Sequence, residues 1–436
     1  MIKVLKFGGT SVGSAARMKR VADIIVREEA AVTVLSAMSG TTDALQRIAS
    51  FAEAGGCEEE IRLLLAGLEH KYVRCAEELL AGGWDEACAA VRRMTERVAA
   101  EAASWAGEAS QRLVVGQGEL LTTALFVLYL KERGIRAELL HAPDFVRRDG
   151  EARADAAALK AACSDRSVRY VTQGFVCSGS DGRLDNLGRG GSDYSAALIG
   201  AALGAGQVQI WTDIDGMHNN DPRYVEGTFP IRHMHFDEAA ELAYFGAKIL
   251  HPSTVQPCKE RGIPVLLKHT LAPEAPGTAI TDREVGGHAY RAVAAKDGIT
   301  VVRICSARML MAYGFLRRVF EVFEKYRTPI DMITTSEVAV SLTVDSDCRL
   351  PEITAELAGL GTVEVEPGNS IVCVVGRLDQ AEHGRAVEIM EAAGDVPLKM
   401  ISYGASRRSI VLLTDTCNRT RLLRNLNDKL FRGYAE

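Results

Sequence analysis

Short runs of β-branched and apolar residues alternate with helical patterns through the first two-thirds of the chain, and this alternation narrows the possible folds more than any other feature. The runs are Lys3 to Phe7, Ala31 to Leu35, Arg136 to Leu140, Arg169 to Thr172 and Val208 to Trp211. Strands spaced by helices pair in parallel through crossovers, so the pattern predicts an α/β domain with a largely parallel sheet. Between about Thr42 and Gln111 the composition turns to Ala, Glu, Arg and Leu with few β-branched residues, which predicts a helical insertion.

A chain of 436 residues exceeds the usual size of one hydrophobic core, so two or three domains are expected. The loop-like Ala272 to Gly277 and the pair Gly286-Gly287 put the first boundary near Val285 to Asp297, with a catalytic domain over 1–290. Beyond it the pattern changes. Ile299 to Ile304, Ile330 to Thr334, Val338 to Val344 and Val363 to Val365 read as strands, with helices at Tyr313 to Tyr326 and Leu350 to Leu357, a βαββαβ unit over 298–366. A second pass over 370–430 has strands at Ser370 to Val375, Leu398 to Ser402 and Ser409 to Leu413, and helices at Asp379 to Ala392 and Thr416 to Leu430. It stops before its last strand, so the two copies of this small module either stand in tandem or interleave.

The formal charge of -6 supplies no electrostatic footprint for nucleic acid. The apolar run at the N-terminus is too short and too charged for a signal peptide, and no charge-free stretch is long enough to span a bilayer. The ten cysteines are scattered without metal-site spacing and read as buried thiols in a reducing compartment. These features together predict a cytoplasmic protein with no metal site of its own.

Chemistry concentrates in glycine-rich turns. Lys6-Phe7-Gly8-Gly9-Thr10-Ser11-Val12-Gly13 runs a strand into a glycine pair and then a helical pattern. Adjacent glycines let backbone N–H groups approach phosphate oxygens, the following helix N-terminus adds a favourable dipole, and Lys6 is within reach. A tight turn capped by Thr10 or Ser11 fits the same residues. Leu187-Gly188-Arg189-Gly190-Gly191-Ser192-Asp193 is a second such turn, readable as an N-cap by Ser192 or Asp193, or as a loop that frees the Arg189 fork to grip a carboxylate. Trp211 to Arg223 is a strand ending in a loop with several carboxylates, and such loops bind nucleotides in open α/β sheets. Lys248 lies in an apolar segment, where it either snorkels to solvent or meets an anion. This set of cations, carboxylates and glycine loops is the equipment of phosphoryl transfer, which needs positioning and charge neutralisation more than a covalent nucleophile.

At this point the chain resembles the amino-acid kinase family, and within it the lysine-sensitive aspartate kinases, over essentially its whole length. The carrying motifs are KFGGTSVG (Lys6 to Gly13), LSAMSGTTD (Leu35 to Asp43), GQGELLTT (Gly116 to Thr123), TQGF (Thr172 to Phe175), GRGGSDYSAAL (Gly188 to Leu198), WTDIDGMHNNDPR (Trp211 to Arg223), FGAKILHP (Phe245 to Pro252) and ITTSEVAVSLTVD (Ile333 to Asp345). The resemblance implies a three-layer sandwich with a mainly parallel sheet, followed by two ferredoxin-like ACT modules. It implies ATP and Mg²⁺, L-aspartate as acceptor, lysine as effector, and a homodimer or larger assembly through the ACT modules. By position it implies that Lys6, Asp193 and Lys248 are catalytic and that Ser36, Thr42, Glu119, Arg189 and Ser192 hold aspartate. ATP falls to Lys6, Gly8, Gly9, Thr10, Thr212, Asp213, His218, Arg223 and Lys248, and the effector to Met309, Ala312, Phe315, Leu316, Ile330 and Ser336, with Asp331 and Glu337 supplying negative charge. His218 stands where a tyrosine is usual, and Ala312 where a serine is usual in lysine-sensitive relatives. Kinases of the same family acting on glutamate, N-acetylglutamate, carbamate or UMP are the nearest rivals, and a silent amino-acid sensor is the rival of another class.

Overall fold

The computed structural model describes residues 1–56, 58–246, 250, 252–284, 288–306, 313–378 and 384–433. The first part of the chain runs β1 (Lys3–Phe7), α1 (Ala15–Arg27), β2 (Val32–Leu35), α2 (Thr41–Glu53), α3 (Glu58–Leu79), α4 (Trp84–Ala103), α5 (Glu108–Val115), α6 (Gln117–Glu132) and β3 (Ala137–Leu140). It continues through β4 (Val146–Asp149), β5 (Glu151–Ala154), α7 (Ala156–Ala162), β6 (Arg169–Gln173), β7 (Val176–Gly179), β8 (Leu184–Asn186), α8 (Gly191–Leu203), β9 (Gln207–Thr212) and β10 (His233–His235). Then follow α9 (Phe236–Tyr244), α10 (Gln256–Glu260), β11 (Val265–His269) and β12 (Thr278–Thr281).

Two compact units emerge. The first comprises 1–217, 232–236 and 250–284, and the second 218–231, 237–249 and 285–436. The sequence-based boundary at 290 therefore misses two segments, 218–231 and 237–249, that pack with the second unit. For 218–231 the reason is polar: the buried Asn219 and Asn220 donate to Asn427 Oδ1, and Asn220 also to the Leu423 carbonyl.

In the first unit an eight-stranded sheet has the order β10-β12-β11-β9-β1-β2-β6-β3. All its pairings are parallel except β11 with β12. Strand alternation gives β1 two faces. Leu5 and Phe7 enter the core built with α1 through α6, while Lys6 turns to the other face, toward α8. The predicted insertion is α2 to α5, and the helical stretch Glu108–Glu132 is apolar and long enough to cross a membrane, although 78% of its most apolar window is buried inside the protein. A four-stranded sheet, β5-β4-β7-β8, was not legible in the sequence.

The second unit adds β13 (Tyr290–Cys305), α11 (Phe315–Lys325), β14 (Ile333–Thr335), β15 (Ala339–Val344), α12 (Leu350–Leu357), β16 (Thr362–Gly376), α13 (Arg385–Ala393), β17 (Met400–Ser402), β18 (Ser409–Asp415) and α14 (Arg419–Leu430). They form one sheet, β14-β15-β13-β16-β18-β17. The run expected at Ile299 to Ile304 extends back to Tyr290 as β13, and those expected at Val363 to Val365 and Ser370 to Val375 fuse into β16; the two strands pair along their whole length with register shifts between Tyr290 and Ala292 and between Lys296 and Val301. The early half of β13, Tyr290 to Lys296, pairs with the late half of β16 and supplies the strand that the second sequence repeat lacks. Two apolar cores result, one beneath α11 and α12 and one beneath α13 and α14. Against expectation, Cys305, Cys348 and Cys417 are exposed.

Candidate active site

The site lies at the carboxyl ends of the parallel strands of the first unit, where open α/β sheets bind ligands. A cavity of about 420 Å³ is lined there by Lys6, Gly9, Thr10, Ser36, Ala37, Met38, Ser39, Gly40, Thr42, Asp43, Glu119, Phe175, Gly188, Gly190, Gly191, Ser192 and Asp193. Five sequence motifs separated by up to 187 positions converge on it.

Lys6 ends up 9% exposed, its Nζ 2.7 Å from Asp193 Oδ1, an ion contact that is out of line for a hydrogen bond. Asp193 rides in the first turn of α8, whose N-cap Gly190 is left-handed (φ 70°). The helix N-termini that line this cavity are those of α8 (Gly190 to Asp193), α2 (Gly40, Thr42 and Asp43) and α6 (Glu119). Helix α1 starts only at Ala15, after a turn closed by Ser14, so the expected dipole contribution directly behind Gly8-Gly9 comes from a different helix.

Glycine at position 9 is required by space. A Cβ there would lie 2.7 Å from the Ala37 carbonyl oxygen and 3.4 Å from the Ser39 nitrogen, both backbone, whereas one at Gly8 meets nothing nearer than Lys6 Nζ at 3.7 Å. Gly9→Ala is thus expected to cost about 1–3 kcal/mol of stability and to lower kcat/KM, with Gly8→Ala costing less stability. Thermal melts of the two variants side by side check the ranking, and equal losses contradict it.

Glu119 stands at the start of α6 and is 3% exposed. Burial pushes its carboxyl up to about 7, against the hydrogen bonds it takes from the backbone of Ala37 and of its own residue and the nearby Lys6 charge. Its Oε2 has no hydrogen-bond partner. A buried carboxylate oxygen with no donor is costly, and a cationic ligand group relieves that cost. Ser36 Oγ donates to Ser192 Oγ at 3.0 Å, joining the end of β2 to the start of α8.

Other expected residues sit apart from the cavity. Arg189 is exposed on the turn between the left-handed Gly188 and Gly190, and among the described residues its guanidinium carries no hydrogen bond or ion pair. Thr212 and Asp213 close β9 beside β1, where Gly8 N–H donates to the Trp211 carbonyl at 3.3 Å and Thr212 Oγ1 donates to Asp213 Oδ1 at 3.1 Å. His218 and Arg223 belong to the second unit. His218 Nδ1 is 3.2 Å from Thr228 Oγ1, and Arg223 makes a two-pronged contact with Asp221. Lys248, Met309 and Ala312 lie outside the described residues.

Of the expected effector residues, Phe315 is buried at the start of α11, Leu316 is partly exposed, and Ile330 packs against the same core. Ser336 Oγ accepts from Ala339 N–H at 3.1 Å and so closes the β14–β15 turn. Asp331, expected to offer free negative charge, is held by Lys296 at 2.9 Å and by the Tyr244 hydroxyl at 2.8 Å. Phe175 was not singled out from the sequence, yet it lines the cavity with a left-handed backbone (φ 68°) that is uncommon for a bulky residue. Its position in the TQGF motif was the available signal.

Residues 1–269 match the model of the amino acid kinase family. This chain belongs to that family. Among the relatives of this amino acid kinase is lysine-sensitive aspartokinase 3 of Escherichia coli, 35% identical over 99% of both chains. Two solved structures resemble it over nearly their full lengths. One is E. coli aspartokinase III in complex with aspartate and ADP in the R-state, with TM-score 0.86 and 34% identity, covering 99% of this chain and 100% of the other. The second is the same enzyme with lysine and aspartate in the T-state, with TM-score 0.84 and 34% identity, covering 99% of each chain.

Proposed function

We propose that this kinase phosphorylates the side-chain carboxylate of L-aspartate with ATP. The observation that carries the reading is the partnerless, buried Glu119 oxygen beside a lysine and a helix N-terminus in one cavity. That arrangement suits a ligand with an ammonium at one end and developing phosphoryl charge at the other. A carboxylate oxygen of aspartate attacks the γ-phosphorus while the bond to the β–γ bridging oxygen breaks, and ADP leaves with that electron pair. No proton has to move, so the protein's part is alignment and charge neutralisation.

In this reading Glu119 takes the aspartate ammonium, Arg189 grips a carboxylate, and Ser36, Thr42 and Ser192 orient the ligand. Lys6, with Gly8, Gly9 and Thr10, faces the transferring phosphate, and Asp193 holds Lys6 in place. Thr212, Asp213, His218, Arg223 and Lys248 are assigned to the nucleotide. Mg²⁺ would be held chiefly by the phosphates, in keeping with its habit of binding through few carboxylates. Among the described residues no group of at least three His, Cys, Asp or Glu side chains could hold a metal ion. The reading also includes a cytoplasmic homo-oligomer joined through the ACT-like modules.

The test is ADP release with a panel of acceptors. Aspartate should support turnover well above glutamate, N-acetylglutamate, carbamate and UMP, and a preference for any of those reassigns the substrate. Regulation by lysine, through Phe315, Leu316, Ile330 and Ser336 with Met309 and Ala312, is supported by likeness to the lysine-bound relative. Lysine at millimolar concentration should inhibit at sub-saturating aspartate, more strongly than threonine or methionine. If lysine is inert, the effector assignment fails while the kinase assignment stands.

A further inference from the structure

The helical insertion is more than cover for the sheet, because α3 sends a polar chain into the floor of the cavity. Tyr72 is fully buried, yet its hydroxyl lies 3.2 Å from Thr41 Oγ1 and 3.1 Å from Thr122 Oγ1. Its neighbour Lys71 donates to the Ser39 carbonyl and, at 3.1 Å, to Thr41 Oγ1. Thr122 Oγ1 accepts the Met38 N–H at 3.1 Å and donates to the Gly118 carbonyl at 2.8 Å. An ammonium only donates and a carbonyl only accepts, so the chain starts at Lys71 and ends at the Gly118 carbonyl, to which the Tyr72 hydroxyl also donates at 3.4 Å; in the Thr41–Tyr72 and Tyr72–Thr122 contacts between them either hydroxyl can donate.

What the chain joins matters. On one side is the turn after β2, Ser39 to Thr41, flanked by Ser36 and Thr42; on the other is the first turn of α6, which carries Glu119. The two approach so closely that a Cβ on Gly118 would lie 2.7 Å from Ala37 Cβ and 2.9 Å from Thr41 Cγ2. Ala37 in turn hydrogen-bonds Glu119 through its backbone. Burial pushes the Tyr72 hydroxyl up to about 12, which keeps it a neutral donor.

We propose that Lys71 and Tyr72 are positioning residues for the amino-acid end of the site, fixing Glu119 against the Ser36–Thr42 turn. This rests on the reading of that end as the aspartate subsite. In a well-satisfied buried network every member counts, so loss of one hydroxyl should displace the whole arrangement. Tyr72→Phe and Thr122→Val are each expected to raise KM for aspartate roughly five- to thirtyfold, the effect of one lost buried hydrogen bond, with KM for ATP within about twofold of wild type. Thr122→Ser restores the hydroxyl and should restore KM. The double variant should be little worse than either single one, because both break the same chain.

Lys71→Met provides an arm that does not touch the deepest packing, since Lys71 is half-buried, and it should raise KM for aspartate in the same selective way. A wild-type KM for aspartate in folded Tyr72→Phe and Lys71→Met overturns the inference, as does an equal rise in both KM values. Failure of the substrate reading is told apart because it would show as absent turnover with aspartate in the wild-type enzyme.

Discussion

Lys6→Ala is expected to lower kcat by about two orders of magnitude or more, the usual cost of removing a preorganised charge from a developing transition state. Lys6 is held on the α8 face of β1, between a glycine turn and the first turn of a helix, with Asp193 as its only ion-pair partner among the described residues. That fixed ammonium needs no reorganisation when charge builds on the transferring phosphoryl group. The same burial carries a structural cost, because the variant leaves Asp193 without its counter-charge, and a broken buried pair destabilises. Turnover must therefore be read beside a thermal melt. Lys6→Ala combined with Asp193→Asn removes the stranded charge and should recover stability without recovering kcat. Near-wild-type kcat in either folded variant removes Lys6 from the mechanism.

Glu119→Gln should raise KM for aspartate by roughly ten- to a hundredfold, as expected for a charge-assisted hydrogen bond worth about 1.5–3 kcal/mol, and leave KM for ATP nearly unchanged. A larger effect on ATP would assign Glu119 to nucleotide or metal. The pH dependence provides a second readout. Burial lifts the Glu119 carboxyl to about 7 in the free protein from an ordinary value of 4.5. An ammonium ligand needs the ionised form, so kcat/KM for aspartate should fall as pH drops below about 7, and the Gln variant should lose that limb. Linkage gives the stability sign. Between 4.5 and about 7 the folded state holds a proton that the unfolded state has lost, so the contribution favouring the fold is present below the unfolded value and is lost as pH rises through the folded one. Glu119→Gln should therefore melt higher than wild type at pH 8 in the absence of aspartate. An equal or lower melting temperature there contradicts the burial argument.

Much of this site was legible because its parts are short and local. The strands β1, β2, β6 and β9 are apolar runs ending in glycines, hydroxyls or carboxylates, and each deposits those residues at one edge of the sheet. What stayed hidden depends on contacts far apart in the chain. The boundary expected near Val285 to Asp297 and the gap expected between 366 and 370 fall partly or wholly inside β13 and β16, since two long paired strands absorb the extra residues as register shifts. Asn219 and Asn220 look like turn residues until Asn427 and Leu423 are brought beside them. Lys71 and Tyr72 sit in an unremarkable amphipathic helix, and only packing reveals the Thr41 and Thr122 hydroxyls. The free carboxylate oxygen of Glu119 is likewise a property of burial, which no local pattern announces.

The chemistry itself is most directly tested by trapping the product. With ATP, Mg²⁺, aspartate and hydroxylamine, an acyl phosphate is converted to a hydroxamate, and mass spectrometry locates that group on the amino acid. The hydroxamate is expected on the side-chain carboxylate, formed in step with ADP. A hydroxamate on the α-carboxylate, or ADP release with no hydroxamate at all, would contradict the proposed chemistry.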